Sequence, residues 1–508
     1  VGTGWLKAVK KNTKRTKDRA QQSHTPKARA IPMPTVKKLT RKQAATSPKL
    51  KTKTKSHRGV PPLYTHQKET VKFLLTQAWT MDASDPGTGK TRSHLEAWAR
   101  RRRAGGGKLL VVAPKSILQV AWGDDIDEFL PSEFTYSIAN AVNRASAFEN
   151  PADIYITNTD AVKWLAKHKP KFFKAFDEIV IDESTAFKHH SSQRSKAANN
   201  IIERFSYRRC LTGTPNSRTV TDLWHQYFLL DRGARLGRSF YQFRQASCEA
   251  EQVGPSREMI KWVDKKGIEE TVGGIVKDIT IRHIFENCTD IPKNHSYPKY
   301  FQLSKAHRKK YAELEAFSIL QLEKESVVAI NAAVLSGKLL QLASGAVYSD
   351  DGYAEIANER YELIMELVQE RQHSLVFFNW AHQKAELVKL AKKLGVTYEV
   401  IDGKVVSDKR RTEIVRAFQA GFYQVLFLHP KSAAHGLTLT RATTTIWASP
   451  TYEPDVMRQG LGRIYRAGQT KRTENIMITA RDTIEHHVYG VMNDKMKRMN
   501  NLLNILKR

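Results

Sequence analysis

A chain of 508 residues, 41% of them apolar, has room for about three domains at roughly 150 residues each. It has no run of 18 apolar residues, and no apolar core follows its basic start, which argues against a membrane span and a secretory signal. The formal charge of +32 points to a polyanionic partner, and the widely spaced Cys210, Cys248 and Cys288 read as free thiols of a reducing compartment rather than as disulfides or zinc ligands.

The charge is uneven. Residues 1–58 hold 18 Lys and Arg against one acid, Asp18, a net +17, while the other 450 residues carry 65 against 50, a net +15. Apart from Trp5-Leu6 and Ile31 to Val36 this stretch has almost no apolar pattern. It buries too little surface to offset its ordering entropy, which predicts a disordered basic arm. Such an arm suits nucleic acid, by neutralising phosphates and releasing counterions, or serves as a solubilising or targeting tail.

Folding is expected to begin near Gly59. Leu63 to Gln67 lead into a helical pattern at Val71, Phe73, Leu74 and Leu75. Asp85-Pro86-Gly87-Thr88-Gly89-Lys90-Thr91 then reads as a strand-to-helix phosphate loop, with Ala83 and Ser84 closing a short strand. A helix starting near Lys90 aims its free N–H groups at a phosphate. Lys90 reaches the outer phosphates and the Thr91 hydroxyl suits Mg²⁺. Ser84 stands where the longer template has glycine, so the match is to G-x-G-K-T; a glycine-rich turn beside a lysine is the alternative. The helix runs on through Leu95, Ala97 and Trp98 to Arg100–Arg103, and Gly105-Gly106-Gly107 ends it.

Leu109–Ala113, Ile154–Thr157 and Ile179–Ile181 are short apolar runs of the kind found in buried parallel strands. Strands alternating with helices predict a doubly wound α/β domain with its ligand at the carboxyl ends of the strands. Asp182-Glu183 directly follow one such strand. Asp182 suits Mg²⁺ and Glu183 can orient and polarise an attacking water. Residues 233–358 break the rhythm with long helical patterns, as at Tyr311 to Leu322 and Val334 to Leu342. A second α/β unit follows, with strands at Leu375–Phe378, ending at Ile401, and at Val425–Leu428. It has no phosphate loop, which argues for one site shared between two lobes.

Leu211-Thr212-Gly213-Thr214-Pro215 resembles the third motif of superfamily 2 helicases. From there the chain resembles that superfamily, and most of all its SWI/SNF-type DNA translocase branch. Asp182-Glu183-Ser184-Thr185-Ala186-Phe187-Lys188 looks like the branch's D-E-x-H-x-x-K-N, with Thr185 at the place of His. Asp222-Leu223-Trp224 looks like its E-L-W, and Tyr300 to Tyr311 with Gly337 to Leu342 resemble its helical insertions. Gln459 to Gln469 resembles the sixth motif, Q-x-x-x-R-x-x-R-x-G-Q. Ser432 to Thr440 resembles the fifth loosely: Gly436 and Leu437 fit, Ala433 and Ala434 replace glycines and Thr438 replaces Asn. Asp482-Thr483-Ile484-Glu485 resembles the family ending. The resemblance covers about residues 60–500, with every motif in order, and its departures are those of a divergent member, viral or bacterial.

The resemblance implies two RecA-like doubly wound lobes clamping one ATP with Mg²⁺: an arm at 1–58, a first lobe at 59–232, helical insertions at 233–358 and a second lobe at 359–508. Gln67 would read the adenine. Pro86, Gly87, Thr88, Gly89, Lys90 and Thr91 would hold the phosphates, and Thr91 and Asp182 the metal. Glu183 would serve hydrolysis, with Arg466 as arginine finger and Arg463 its neighbour; Thr212, Gly213 and Thr214 would couple ATP state to nucleic-acid grip. Candidate DNA contacts at strand ends are Lys115, Ser116, Asn158, Thr159, Ser432 and Gly436. The expected activity is ATP-driven translocation on double-stranded DNA inside a cell, in bacterial cytoplasm or nucleoid or in a nucleus. A strand-separating helicase and a non-catalytic, nucleotide-gated clamp are the alternatives.

Overall fold

The computed structural model describes residues 60–216, 219–252, 260–288, 291–324, 329–349, 352–403, 408–433, 437–466 and 468–505. The basic arm at 1–58 and the candidate contact Gly436 lie outside them.

The first lobe is a parallel sheet. Its strands are β1 (Trp79–Asp82), β2 (Lys108–Ala113), β3 (Tyr136–Ala139), β4 (Ile154–Asn158), β5 (Phe176–Asp182) and β6 (Tyr207–Leu211). A small antiparallel hairpin, β7 (Cys248–Gln252) and β8 (Ile260–Asp264), interrupts the pattern before β9 (Thr280–Ile281) returns to the sheet. The order is β3-β4-β2-β5-β6-β1-β9. Both faces are covered, so alternate residues of one strand enter different cores. Ile179 and Ile181 of β5 pack with Cys210, Trp224 and Tyr227; Val180 between them packs with Trp98, Trp122 and Val111. The helices Thr65–Thr76 and Lys90–Arg103 meet through Val71, Leu74 and Ala97, which carries Gln67 to the phosphate loop.

The second lobe repeats the plan. Its strands, introduced by β10 (Asn294–Phe301), are β13 (Ser374–Phe377), β14 (Tyr398–Ile401), β15 (Val425–Leu428), β16 (Thr444–Trp447) and β17 (Thr473–Ala480); a two-stranded hairpin, β11 (Ala346–Ser349) and β12 (Gly352–Glu355), comes between in sequence. The sheet is parallel in the order β10-β17-β16-β13-β15-β14. One face holds Val376, Phe427 and Ile476, the other Leu375, Phe377 and Trp447. Arg360 and Glu485 form a buried ion pair at 2.7 Å. Arg360 also donates to the carbonyls of Ala448 and Ala343, and Glu485 accepts from the Ala480 N–H. Glu485, part of the family-like ending, is therefore an internal strut of this lobe.

The lobe edges differ from those expected at 232 and 358. The helices Lys305–Lys324 and Ala329–Ala343 do fall in the intervening stretch, but so do β9 and β10, one strand for each sheet. Val272 and Val276 of the helix Ile268–Val276 are buried in the first lobe's core. Two residues make β9 too short to show a period, and β10 is mostly exposed, so neither carries the apolar signal of a buried strand. Among the described residues no helix is long and apolar enough to cross a membrane.

Candidate active site

The sheet order puts β1 beside β6 and β6 beside β5, so three chemical segments leave neighbouring strand ends. The phosphate loop leaves β1, Asp182-Glu183 end β5 and Thr212-Gly213-Thr214 follow β6. Gly87 and Gly89 have φ of +87° and +76°, conformations that glycine adopts without strain. Lys90 folds its ammonium back on the loop, donating to the carbonyls of Ser84 (2.7 Å) and Asp85 (3.1 Å). Beneath it Asp82 is fully buried. Burial alone would raise its pKa, but His94, 3.3 Å away, together with Lys90 and the Ser84 N–H, holds it down to about 2.

Gln67 Nε2 points at the Thr88 carbonyl (3.5 Å), and His66 Nε2 lies 2.8 Å from the same oxygen. A Cβ on Gly89 would come within 2.2 Å of Gln67 Nε2. Gly89→Ala must therefore displace Gln67 and hold a left-handed backbone at a cost of about 1–2 kcal/mol. The expected result is about tenfold weaker binding of a fluorescent ATP analogue, read by titration.

Asp182 accepts from Trp122 Nε1 and from the Glu183 N–H, both at 2.9 Å. Burial, then the adjacent Glu183, raises the pKa of Asp182. Burial also raises Glu183, against the pull of Lys90 and Arg463. Glu183 sits at φ +51°, a left-handed conformation unusual for a residue with a side chain, which turns it off the line of β5. Its Oε2 lies 3.5 Å from the Thr212 hydroxyl, which also accepts from the Thr214 N–H at 3.1 Å. The third segment thus touches the second directly. The Thr91 hydroxyl and the two carboxylates are hard oxygen donors of the kind that suits Mg²⁺, and a cation there would hold ionised the carboxyl that burial pushes up.

The second lobe closes this site. One cavity of about 580 Å³ is lined by Gln67, the residues Pro86–Thr91, Asp182, Glu183, Arg463 and Arg466. Arg463 and Arg466 each donate to the Leu437 carbonyl, at 3.3 and 3.1 Å. Burial lowers both guanidinium pKa values, Arg463 to about 9 with Arg466 adding to the shift, so Arg463 remains charged at neutral pH. The expected ATP-site residues are all brought together, although some 370 residues separate Lys90 from Arg463 and Arg466 in the chain.

Three further residues border the site without a sequence signal of their own. Trp122 orients Asp182. Asp125 lines the cavity facing Arg466; burial, with Glu128, lifts its pKa to about 7. Arg458 reaches across from the second lobe to Asp85. No local pattern marks any of them, since each acts on a partner distant in sequence.

The described DNA candidates do not line this cavity. Ala113 and Asn158 are register partners on β2 and β4, so Lys115, Ser116, Asn158 and Thr159 share one edge of the first sheet. Lys115 is exposed, and Asn158 accepts from Arg144 at 2.9 Å. Ser116 faces Arg411 and Arg416 of the second lobe across a cavity of about 210 Å³. Ser432 is half-buried on the short helix Pro430–Ala433, after β15. Within the segments that carry the narrower resemblance, Lys188 pairs with Asp222 at 3.1 Å and Trp224 packs in the first core, while Asp182 and Glu183 line the cavity.

Residues 36–347 match the family described as SNF2-related domain, and residues 359–468 match the helicase conserved C-terminal domain. Protein p41 of Acyrthosiphon pisum secondary endosymbiont phage 1 is 28% identical over 443 residues, covering 83% of this chain and 94% of p41. An uncharacterized ATP-dependent helicase, MG018 of Mycoplasma genitalium, is 25% identical over 453 residues, covering 85% of this chain and 41% of that protein. The chain thus spans nearly all of the phage relative but less than half of the bacterial one. Among solved structures, the Sulfolobus solfataricus SWI2/SNF2 ATPase core in complex with dsDNA aligns with 87% of this chain and 93% of that one, at 19% identity and a TM-score of 0.40.

Proposed function

Because the chain belongs to the SNF2-related domain family, with the helicase conserved C-terminal domain as its second part, we propose that it is an ATP-driven translocase on double-stranded DNA. One observation carries this: the phosphate loop and two acids of one lobe face two arginines of the other across a single cavity. A site divided in this way couples hydrolysis to lobe motion, because each state of the nucleotide favours a different closure.

In this reading the loop N–H groups and Lys90 bind the outer phosphates, and Gln67 reads the base. Mg²⁺ held by Thr91 and Asp182 would neutralise charge on the β- and γ-phosphates. Glu183, kept basic by burial, orients the attacking water and accepts its proton. Arg463 and Arg466 present planar, charged groups where negative charge spreads during transfer. Thr212, touching Glu183, passes the state of that carboxylate to the strand end beside it. Lys115, Ser116, Asn158, Thr159 and, on the other lobe, Ser432 and Gly436 hold the DNA backbone, and such contacts position without reading sequence. The net charge of +32 supports a polyanionic track, and DNA as substrate places the work inside a cell.

The test is phosphate release with and without nucleic acid. Duplex DNA is expected to raise turnover at least about tenfold over the protein alone, as in a motor whose closure needs its track. Equal, low turnover with duplex, single-stranded DNA, forks and RNA would remove the motor reading. Salt-sensitive binding that ignores ATP would favour a passive clamp, and displacement of a strand from a fork would make the protein a true helicase.

A further inference from the structure

Arg458 lies on the helix Pro454–Leu461 of the second lobe, one residue ahead of the stretch that holds Arg463 and Arg466. Its guanidinium does not enter the nucleotide cavity. Nη2 instead meets Asp85 Oδ1 at 2.5 Å, and Nη1 donates to the Gly213 carbonyl at 3.3 Å. One planar group therefore grips the first residue of the phosphate loop and the turn after β6 together. That turn is packed on the loop: a Cβ on Gly213 would come within 2.9 Å of the Pro86 ring.

The Asp85 carboxylate is held in place for this contact. Oδ2 accepts from the Phe285 N–H at 3.2 Å, and Oδ1 also faces Arg282 at 3.4 Å. Both of these contacts come from the chain that directly follows β9, so the carboxylate has partners besides the second lobe's Arg458. Downstream, Gly462 sits against Pro86, where a Cβ would be 3.5 Å from the proline Cβ, so the chain between Arg458 and Arg463 runs along the phosphate loop.

We infer that Arg458 is a positioning residue for hydrolysis, a fork that registers the second lobe on Asp85 and Gly213 and thereby aims the arginines of the cavity. The inference rests on the ATP-driven reading above. Two nitrogens of the guanidinium are engaged at once, one on the Asp85 carboxylate and one on the Gly213 carbonyl, a planar two-point grip that an ammonium does not reproduce.

The experiment compares the wild type with Arg458→Gln and Arg458→Lys. Three quantities are measured: turnover at saturating duplex DNA, affinity for a fluorescent ATP analogue, and energy transfer between dyes at exposed Lys171 and Lys393, one on each lobe. Arg458→Gln is expected to lower kcat by about ten- to a hundredfold, as misplacement of a catalytic group by about 1 Å does. Analogue affinity stays within about twofold, because the first lobe holds the nucleotide. Energy transfer falls, and Arg458→Lys recovers part of both losses. Wild-type kcat and energy transfer in Arg458→Gln would overturn the inference, as would analogue affinity falling in step with kcat. If the wild type shows no DNA-stimulated turnover, the motor reading fails on its own, and the energy transfer still decides whether Arg458 holds the lobes.

Discussion

Arg466→Ala is expected to abolish DNA-stimulated ATP turnover, by about 10³-fold or more, with the fold intact. Among the described residues its side chain donates to the Leu437 carbonyl and faces Asp125 across the cavity. Burial presses its pKa down and the Asp125 charge presses it up, an environment that makes the guanidinium costly to hold and ready for an anion. Removing it relieves burial cost while deleting the charge that spreading phosphoryl charge needs. Circular dichroism should therefore report an unchanged melting temperature or a small rise, beside the lost phosphate release. Wild-type kcat in this variant would show that the group nearest the transferring phosphate is another one, with Arg463 the first to test.

A comparably large effect on stability is expected at the opposite end of the same strands. Glu178 of β5 is fully buried between Arg209 of β6, at 3.2 Å, and Arg101 of the phosphate-loop helix. Arg209, with no exposed surface, also donates to the carbonyls of Gln77 and Leu74 and to the Thr80 hydroxyl. Burial lowers its pKa to about 10 despite Glu178, so it is still charged at neutral pH. Glu178→Ala leaves two guanidiniums facing each other without a counter-charge. The expected loss is about 3–5 kcal/mol of unfolding free energy, measured by urea denaturation. Glu178→Leu combined with Arg209→Met should recover much of it, because a neutral, filled site avoids the desolvation cost. A single-variant loss below about 1 kcal/mol would mean that water reaches the cluster. The cluster ties together the base of β5, β6 and the helix Lys90–Arg103, the elements whose other ends carry Asp182, Thr212 and Lys90.

The features legible in the sequence were those written locally. The turn at Gly87 and Gly89 and the apolar run before Asp182-Glu183 each state their geometry within a few residues, whereas Arg463 and Arg466 enter through the resemblance to a motif and lie past the end of the helix Pro454–Leu461. Other strands carry no such signal, for definable reasons. Arg208-Arg209 puts two charges into β6, so a central buried strand lacks the apolar run that marks its neighbours. The charge is tolerated only because Glu178 and three backbone or hydroxyl acceptors wait for it, and those partners lie 31 to 135 residues away. The same holds for Arg458, whose partner Asp85 is 373 residues distant. A pairing of that kind has no period and no motif; only the closed arrangement of the lobes reveals it. The Asp-Glu pair marks Glu183 as a carboxylate but carries no sign of its left-handed backbone at φ +51°.

The strand β10 has a consequence for how such a chain can be cut and rejoined. It lies on the edge of the second sheet, hydrogen-bonded along its length to β17, yet it precedes both long helices in the sequence. Inheritance in one piece therefore cannot follow the interval between the two α/β rhythms. A crossover between related genes placed after residue 358 delivers a second lobe stripped of its outermost strand, with the flank of β17 open to pairing with any extended segment. The natural seam is the short interval between β9 and β10, where one sheet has received its last strand and the other has not yet received its first.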